Sequence, residues 1–358
     1  MKRNWISFLI LASLITPGFK PHPKKPVISD QPVQHLILIT TDGFRWQEIF
    51  QGADPDLLTN SEFTPQGETL DWLYGGTTPE ERRERLMPFF WRVIARQGQL
   101  YGNRLYDNKV NTANAYSISY PGYNEILTGN TDLGIFSNSR KNNPNRNILE
   151  YVNELPAFEG KVAAFSSWDV FPYILNAKRS GLPINSGYDS LALDTERAGL
   201  LNQLQEEGIY KKEHTRHDRL TFIAAKEYMA EKHPRFVFLG LGETDEFAHQ
   251  GRYDLYLQQA NEFDRMIGEL WHWIQTDPEY KDKTTLIITT DHGRGKRPSK
   301  WTSHGFHVKG SSQTWMALLG PNIPALGEVK ENQQLWQKDV ASMAVGMVQG
   351  DREFRNKK

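Results

Sequence analysis

The sequence contains no cysteine. This absence excludes disulfide frameworks, thiolate metal ligands, cysteine nucleophiles and lipid anchors attached through cysteine. An excess of charge of one sign is also lacking, because 42 Lys and Arg residues stand against 43 Asp and Glu residues, which leaves a net charge of −1. This balance argues against a generally basic nucleic-acid-binding protein and against a strongly acidic disordered chain.

The composition is typical of a globular protein with a substantial core. Of the 358 residues, 38% are hydrophobic and 12% are aromatic, whereas 24% are charged. So many aromatic residues argue against disorder. The length allows one large domain or two ordinary ones.

The N-terminus has the pattern of a secretory signal peptide. Two basic residues precede a mostly apolar run, Trp5–Ile15, which is too short to span a bilayer comfortably. The stretch Pro21–Pro32 contains four prolines and is predicted to be a linker. We therefore expect residues 1–26 to be a signal peptide and linker, and the protein to be exported to a bacterial periplasm or cell surface. An N-terminal core helix is the alternative.

Three largely apolar segments are predicted to be buried parallel strands that end next to acidic residues. They are His35–Thr41, Arg235–Leu241 and Thr284–Thr290. Two further strand candidates are Lys161–Phe165 and Thr314–Leu319. Helical patterns cover Pro79–Arg96 with an interruption at Pro88, Leu191–Glu207, Asp218–Lys232, Tyr253–Ile274 and Leu335–Val348. Because strands alternate with helices, we predict an α/β fold, a three-layer α/β/α sandwich with a mostly parallel central sheet.

Potential metal ligands follow three of the predicted strands, at the edge of the sheet where ligands bind in such folds. Asp42 follows the first strand, and Asp291 and His292 follow the third. After the second strand, Asp245 and His249 are four residues apart, so a helical turn would place both on one face. Mixed carboxylate and imidazole ligands suit zinc, with manganese as the second choice. The sequence therefore predicts a metal site at this edge.

Two further histidines, His304 and His307, lie a short way downstream in WTSHGFHVKG. Either histidine could add an imidazole ligand to the predicted site. Gly305 directly after His304 would let the backbone approach a metal closely, which favours His304. For each acidic residue taken alone, a turn or helix cap is the simpler explanation. Such caps, however, would not need the histidines.

A candidate nucleophile lies in residues 117–129, SISYPGYNEILTG, which are predicted to be a loop entering a short helix. Pro121 suits the first helical turn and Gly129 the helix end. Ser119 would then lie at the helix N-terminus, where N–H groups and the helix dipole favour an anion. A bound divalent metal can activate a serine hydroxyl without a histidine base. An ordinary helix-capping serine is the alternative.

In their order along the chain, the motifs TTDGFR, SYPGY followed by LTG, DEFAHQG, TDHG and SHG resemble those of the alkaline phosphatase superfamily. The resemblance is greatest to its nucleotide pyrophosphatase/phosphodiesterase-like branch, and it covers nearly the whole chain after the N-terminal segment. It implies a single catalytic alkaline phosphatase-like domain, which we place at residues 27–350, followed by a tail at residues 351–358. It also implies hydrolysis of phosphoric esters of small substrates.

The resemblance also implies a role for each candidate residue. The implied ligands of one zinc ion are Asp42, Asp291 and His292. The implied ligands of the other are Asp245, His249 and His304. Ser119 would attack phosphorus and form a covalent phosphoserine, and two metals about 4 Å apart can stabilise both the attacking and the leaving oxygen.

The sequence departs from the family pattern in ways that bear on the substrate. The diesterase branch usually has threonine where Ser119 stands, and serine is more typical of monoesterases. A sulfatase would need Cys or Ser followed by x-Pro-x-Arg, whereas Tyr123 occupies the arginine position. Cofactor-independent phosphoglycerate mutases have related ligands but are longer, cytosolic proteins. The remaining alternatives are a sulfuric- or phosphonic-ester hydrolase using the same site, and a non-catalytic binding protein of the same fold.

Candidates for substrate contact lie downstream of the nucleophile. Asn138, Arg140, Lys141 and Arg146 could contact phosphoryl oxygens, because an arginine fork matches phosphate geometry. The basic loop Arg294–Lys300 could attract anionic substrates. A solvated charged loop explains either group equally well. We expect no nucleic-acid partner and no transmembrane segment in the mature chain, and the sequence does not set the oligomeric state.

Overall fold

The structure is a computed structural model that describes residues 26–29 and 31–350. The signal peptide and linker expected at residues 1–26 lie outside the described residues except for residue 26, and the expected tail at residues 351–358 lies outside them entirely. Within the described part of the chain, no helix combines the length and the apolar character that a membrane crossing requires.

Two β-sheets form the framework of the described residues. Their strands are β1 (His35–Thr41), β2 (Gln99–Tyr101), β3 (Asn108–Asn111), β4 (Val162–Ser166), β5 (Ile184–Ser186), β6 (Phe236–Leu241), β7 (Thr284–Thr290), β8 (Gln313–Thr314), β9 (Met316–Leu319), β10 (Gly327–Glu328) and β11 (Gln333–Trp336). Eight strands form one sheet in the order β10-β2-β9-β7-β1-β6-β4-β5, and three form a small sheet in the order β11-β3-β8.

The centre of the large sheet consists of parallel strands. β1 lies between β6 and β7 and is parallel to both, with Ile39 level with Leu239 and Ile288. β4 and β5 continue in parallel beyond β6, whereas β9 runs antiparallel to β7. The five predicted strands are present, with the last of them divided into β8 and β9. The predicted α/β class with a mostly parallel central sheet is confirmed.

Helices connect the strands. They are α1 (Trp46–Gln51), α2 (Pro55–Leu58), α3 (Gly67–Tyr74), α4 (Pro79–Leu86), α5 (Ala95–Gln97), α6 (Ser119–Thr128), α7 (Ile148–Asn153), α8 (Phe171–Ile174), α9 (Ala177–Ser180), α10 (Glu196–Gln203), α11 (Asp218–Lys232), α12 (Glu243–His249), α13 (Tyr253–Thr276) and α14 (Asp339–Gln349). Short π-helical turns cover Phe90–Ile94 and Leu204–Gly208, and 3₁₀ turns cover Arg104–Tyr106 and Pro298–Lys300.

Helices cover both faces of the large sheet, as the residues of β1 show. Ile37 and Ile39 pack in one core cluster with α11 and α13, whereas Leu36 and Leu38 pack in another with α6, α7 and α14. All four side chains are at most 1% exposed. A strand that is buried on both faces is apolar at successive positions, which explains the run HLILITT. The predicted three-layer arrangement is confirmed.

Two predicted helices begin later than the sequence indicates. The helix predicted over Leu191–Glu207 begins at Glu196, because the threonine before it caps the first turn. The helix predicted over Leu335–Val348 begins at Asp339, because the residues before it form β11 and pair with β3. The interruption predicted at Pro88 is present between α4 and the following π-helical turn.

Candidate metal centre

Three carboxylates meet at one edge of the large sheet. Asp42, Asp245 and Asp291 follow β1, β6 and β7, which are neighbouring parallel strands. Because the carboxyl ends of these strands lie at the same edge, residues far apart in the sequence come together there. Two groups of three side chains form around them, and the candidate ligand atoms of each group lie within 4.8 Å of one another.

The first group, which we call the Asp42 trio, consists of Asp42, Asp291 and His292, all buried. His292 Nε2 lies 3.3 Å from Asp42 Oδ1 and 3.5 Å from Asp291 Oδ2. The other ring nitrogen, Nδ1, lies 3.0 Å from the carbonyl oxygen of Gly293. In the neutral tautomer that donates Nδ1–H to that carbonyl, Nε2 is free of a proton and faces the carboxylates, which is the form that binds a metal.

One oxygen of the Asp42 trio lacks a partner. Asp291 Oδ1 accepts the backbone N–H of Gly43 at 3.0 Å, but the buried Oδ2 has no hydrogen-bond partner among the described residues. Burial, followed by repulsion from neighbouring carboxylates, raises the pKa of Asp42 and of Asp291 well above the usual range. A divalent cation would satisfy this oxygen and offset the repulsion. The residues present therefore fit a metal ion.

The second group, the Asp245 trio, consists of Asp245, His249 and His304. Asp245 and His249 lie one turn apart on α12, with Asp245 Oδ2 3.0 Å from His249 Nε2. This confirms the predicted helical turn that places both residues on one face. His304 Nε2 lies 3.0 Å from the same His249 nitrogen. The trio is more open than the first, because the His249 side chain is 48% exposed.

His304, and not His307, belongs to the Asp245 trio. The His304 side chain is 9% exposed, and its Nδ1 lies 3.2 Å from the carbonyl oxygen of Ser117, which turns Nε2 toward the trio. Burial, followed by the effect of nearby His292, lowers the pKa of His304 to about 2. The imidazole is therefore neutral, as a metal ligand must be. His307 is exposed at the surface.

Ser119 is the first residue of α6 and is buried. Its Oγ lies 3.4 Å from His292 Nε2 and 3.5 Å from Asp42 Oδ1. The prediction of a loop entering a short helix is confirmed, and Gly129 ends that helix with a φ of 71°. The hydroxyl thus lies against the Asp42 trio and at a helix N-terminus, where the helix dipole favours an anion.

Close packing holds α6 in this position. Gly122 lies against the backbone of Asp291, and a Cβ atom at this glycine would lie 2.6 Å from the Asp291 carbonyl oxygen. The buried carboxylate of Glu125 accepts the backbone N–H groups of Ala113 and Asn114 at 2.6 and 2.8 Å, in the loop that precedes the helix. The glycine of the SYPG motif therefore permits the approach of the helix to the strand end.

A buried carboxylate fixes the start of α12. Asp218 Oδ1 accepts the backbone N–H of Gly242 at 2.7 Å, and Oδ2 accepts that of Glu243 at 3.1 Å. Asp218 Oδ1 also accepts the Ser167 hydroxyl at 2.6 Å. Because α12 carries two members of the Asp245 trio, these hydrogen bonds at its N-terminus help to fix the orientation of the trio.

Two buried side chains at the site were not predicted as part of it. Tyr123 is 1% exposed and donates its hydroxyl to Asp42 Oδ2 at 3.1 Å. Arg294 is also 1% exposed, and its guanidinium donates to Asp245 Oδ1. Of the two explanations of the basic loop Arg294–Lys300, a solvated loop does not hold for Arg294, which is buried and paired with a carboxylate. Attraction of anionic substrates stays a prediction.

Arg294 shifts the pKa of Asp245 in the direction opposite to the shifts of the other two carboxylates. Burial by itself would raise the pKa of Asp245, but the Arg294 guanidinium, followed by His249, brings this pKa well below the usual range. Asp245 is therefore ionised without a metal. The position of an arginine two residues after the Asp-His pair was the only sequence signal for this contact.

The four residues predicted to contact phosphoryl oxygens have different surroundings. Asn138 lies near Ser119, because its Oδ1 accepts the backbone N–H of the next residue, Tyr120, at 3.0 Å. Arg140 is 47% exposed and pairs with Asp169 at 2.6 Å. The side chains of Lys141 and Arg146 are exposed. Contact with substrate stays a prediction for all four.

Comparison with a family model gives a match over part of the chain. Residues 202–308 match the model described as the metalloenzyme superfamily. This span includes five of the six candidate ligands and leaves out Asp42 and Ser119, which precede it. No curated protein matches the sequence significantly.

Several solved structures have a similar fold. The alkaline phosphatase PafA has a TM-score of 0.56 at 10% identity, over 88% of this chain and 96% of that one. The lipoteichoic acid synthase LtaP from Listeria monocytogenes has a TM-score of 0.56 at 11% identity, over 91% and 75%. A phosphonate monoester hydrolase of Agrobacterium radiobacter has a TM-score of 0.52 at 12% identity, over 88% and 73%. These likenesses show a shared fold, and the metalloenzyme family model matches less than half of the chain.

Proposed function

We propose that the protein is an exported, metal-dependent phosphoric-ester hydrolase that acts through a covalent phosphoserine at Ser119. The observation that carries the proposal is the position of the Ser119 hydroxyl, 3.4 Å from His292 Nε2, beside two adjoining trios of carboxylate and imidazole ligands. The metalloenzyme match supports a metal-dependent reaction, and the order of the sequence motifs supports the nucleotide pyrophosphatase/phosphodiesterase-like branch.

The two trios would each hold one divalent ion. Their mixture of carboxylate oxygens and imidazole nitrogens favours zinc, with manganese as the second choice. The unpartnered Asp291 Oδ2 and the orientation of the His304 ring, whose Nδ1 lies 3.2 Å from the Ser117 carbonyl oxygen, are the observations that support this fit. When bound, such ions stabilise a deprotonated hydroxyl and neutralise charge on a phosphoryl group.

The residues of the chain would divide the remaining work. Ser119 Oγ forms a bond to phosphorus while the bond from phosphorus to the alcohol oxygen breaks, and the alcohol leaves with the proton that the serine loses. Water then cleaves the bond between Ser119 Oγ and phosphorus, which restores the hydroxyl and releases phosphate. The N-terminus of α6 faces the phosphoryl anion. Asn138, whose Oδ1 is engaged by Tyr120, would present its amide NH₂ group to a phosphoryl oxygen.

The alternatives use the same geometry. A sulfuric- or phosphonic-ester hydrolase would need the same ligands, and one structural neighbour is described as a phosphonate monoester hydrolase and another as a sulfatase. Tyr123 argues against a sulfatase, because its hydroxyl binds Asp42 where the sulfatase motif requires arginine. A non-catalytic binding protein is disfavoured by the complete set of six ligands with Ser119 beside them.

One experiment separates a phosphatase or phosphodiesterase, a sulfatase and a non-catalytic binding protein. The purified protein is assayed for bound metal and for release of nitrophenol from p-nitrophenyl phosphate, bis-p-nitrophenyl phosphate and p-nitrophenyl sulfate. We expect two metal ions per chain and turnover of a phosphate ester that is lost on chelation and restored by zinc. Faster turnover of the sulfate would favour the sulfatase alternative. Bound metal without any turnover would favour the binding protein.

A further inference from the structure

We propose that Arg294 is a positioning residue that holds Asp245 and His304 together, so that the Asp245 trio binds its metal with full affinity only when this guanidinium is present. The proposal rests on the proposed metal centre. Arg294 is not a ligand itself, because an arginine side chain has donors and no acceptor. Its role would be to place two ligands that come from different parts of the chain.

The contacts of Arg294 link two parts of the chain. One terminal nitrogen, Nη1, donates to Asp245 Oδ1, in the first turn of α12. Nε donates to the carbonyl oxygen of Trp301 at 3.0 Å, and the other terminal nitrogen donates to that of Thr302. The side chain is fully buried. All three guanidinium nitrogens are therefore engaged, one with a ligand and two with the segment that leads to His304.

The loop between β7 and His304 folds back on itself around these contacts. The backbone N–H of Gly295 donates to the carbonyl oxygen of Ser303 at 2.9 Å. Trp301 anchors the loop in the core, in edge-to-face contact with Phe63 and Tyr253. The two carbonyls that Arg294 binds immediately precede the stretch that carries His304. The guanidinium thus sets the position of this ligand relative to the sheet.

Gly43, in the loop after β1, leaves room for the ion pair between Asp245 and Arg294. Gly43 has a φ of +58°, and a Cβ atom there would lie 2.4 Å from Asp245 Oδ1 and 2.8 Å from Arg294 Nη1. Room for the pair therefore depends on a residue without a side chain. With Oδ1 bound by Arg294, Asp245 has Oδ2 left for the metal, on the side where His249 Nε2 lies 3.0 Å away.

A lysine cannot reproduce this arrangement. Its ammonium group is a compact point charge on a flexible stem, whereas the planar fork of arginine holds several acceptors in fixed directions. The variant Arg294→Lys therefore keeps the charge beside Asp245 but loses at least one of the loop contacts. Arg294→Gln removes the charge and keeps two donors. The matched control is Arg297→Lys, because Arg297 lies in the same loop and is exposed.

The test measures zinc per chain by elemental analysis and zinc affinity by competition with a chelator. We expect the wild type and Arg297→Lys to hold two zinc ions. In both Arg294 variants, we expect one zinc to bind as in the wild type and the other to bind about 10- to 100-fold more weakly, the usual effect of losing a residue that supports a metal ligand. A role only in folding would instead weaken both zinc ions together or lower the melting temperature at saturating zinc.

The outcomes distinguish this inference from the proposed function. Two zinc ions bound with wild-type affinity in either folded Arg294 variant would overturn the positioning role and leave the proposed function intact. Loss of both zinc ions together would also overturn it, in favour of a general structural role. A wild type that holds no metal would overturn the proposed metal centre itself.

Discussion

The imidazole ring of His304 stacks on that of His292, with ring centroids 3.9 Å apart and planes inclined by 13°. His292 belongs to the Asp42 trio and His304 to the Asp245 trio. The two trios are therefore in direct contact through this pair of stacked rings. Two protonated imidazoles could not stack at this distance without strong repulsion. The pair therefore requires at least one neutral ring, which agrees with the lowered pKa of His304.

The variant Ser119→Ala should fall in turnover by about 10⁴-fold or more, because the attacking oxygen is removed. Folding and metal content should stay as in the wild type, since the serine hydroxyl is a weak ligand compared with carboxylates and imidazoles. Phosphate release and zinc per chain are measured on the same sample. The control is Ser139→Ala, an exposed serine. Near wild-type turnover of Ser119→Ala would exclude this residue as the nucleophile.

The two neighbouring histidines should behave differently on substitution. His304→Ala should lose close to one zinc per chain and most activity, because it removes a member of the Asp245 trio. His307→Ala should keep both metals, because this side chain lies at the surface. Elemental analysis of both purified variants checks this expectation. The opposite pattern would mean that His307 is the ligand.

Tyr123→Phe should weaken metal binding by the Asp42 trio by about 10-fold, because Asp42 Oδ2 loses the hydroxyl that orients it. The matched control is Tyr120→Phe, another buried tyrosine of α6, whose hydroxyl donates to the carbonyl oxygens of Lys141 and Tyr173. Competition with a chelator measures the affinity in each variant. Equal affinities in the two variants would show that the contact with Asp42 has no such effect.

Asp264 should make the protein less stable as the pH rises from 5 to 7. Burial raises its pKa to about 7, while its carboxylate accepts the N–H groups of Phe89 and Phe90. The folded state then holds a proton that an unfolded aspartate has lost above pH 4. The stabilisation that protonated Asp264 gives the folded state is at its maximum below pH 4. Between pH 4 and pH 7, this stabilisation decreases by up to about 1.4 kcal/mol per pH unit.

Denaturant unfolding of Asp264→Asn tests this contribution, because the amide cannot ionise. The free energy of unfolding of the variant should decline less between pH 5 and 7 than that of the wild type. Glu231→Gln, at an exposed site, is the control for a general change in charge. Parallel pH profiles for the wild type and Asp264→Asn would show that Asp264 does not cause the decline.

The chain exported by the native host should begin between Gly18 and Val27. The apolar run ends at Ile15, and the first strand begins at His35, so cleavage in between removes the signal and leaves the sheet intact. N-terminal sequencing of protein from the native host gives the answer. An intact Met1 would refute the signal-peptide interpretation, whatever the enzymatic activity.

The candidate ligands could be predicted from the sequence because each lies near a strong local signal. Asp42 and Asp291 directly follow buried strands, and Asp245 and His249 have helical spacing. The choice of His304 over His307 depended on the small residue that follows it and on the family resemblance. In all these cases, a short stretch of sequence contains the information that locates the ligand.

The supporting residues could not be predicted in this way, because their partners lie elsewhere in the chain. Tyr123 follows Ser119 by four residues, but its hydrogen bond to Asp42 exists only where α6 packs on the end of β1. Arg294 looks like part of a basic loop until the sheet brings Asp245 beside it. The start of α14 was misplaced for a similar reason, because Leu335 pairs with Val110 in a distant strand.

The parallel neighbours β6, β1 and β7 also have a consequence for the order of folding. Their residues are widely separated in the chain, and such non-local pairing is slow to form. During synthesis, Asp42 emerges long before His304. The growing chain therefore has neither trio complete until residues 291–304 have been made. Metal would then stabilise only the finished protein and not its partly folded forms. Metal uptake during refolding could serve as a signal that the last central strand has joined the sheet.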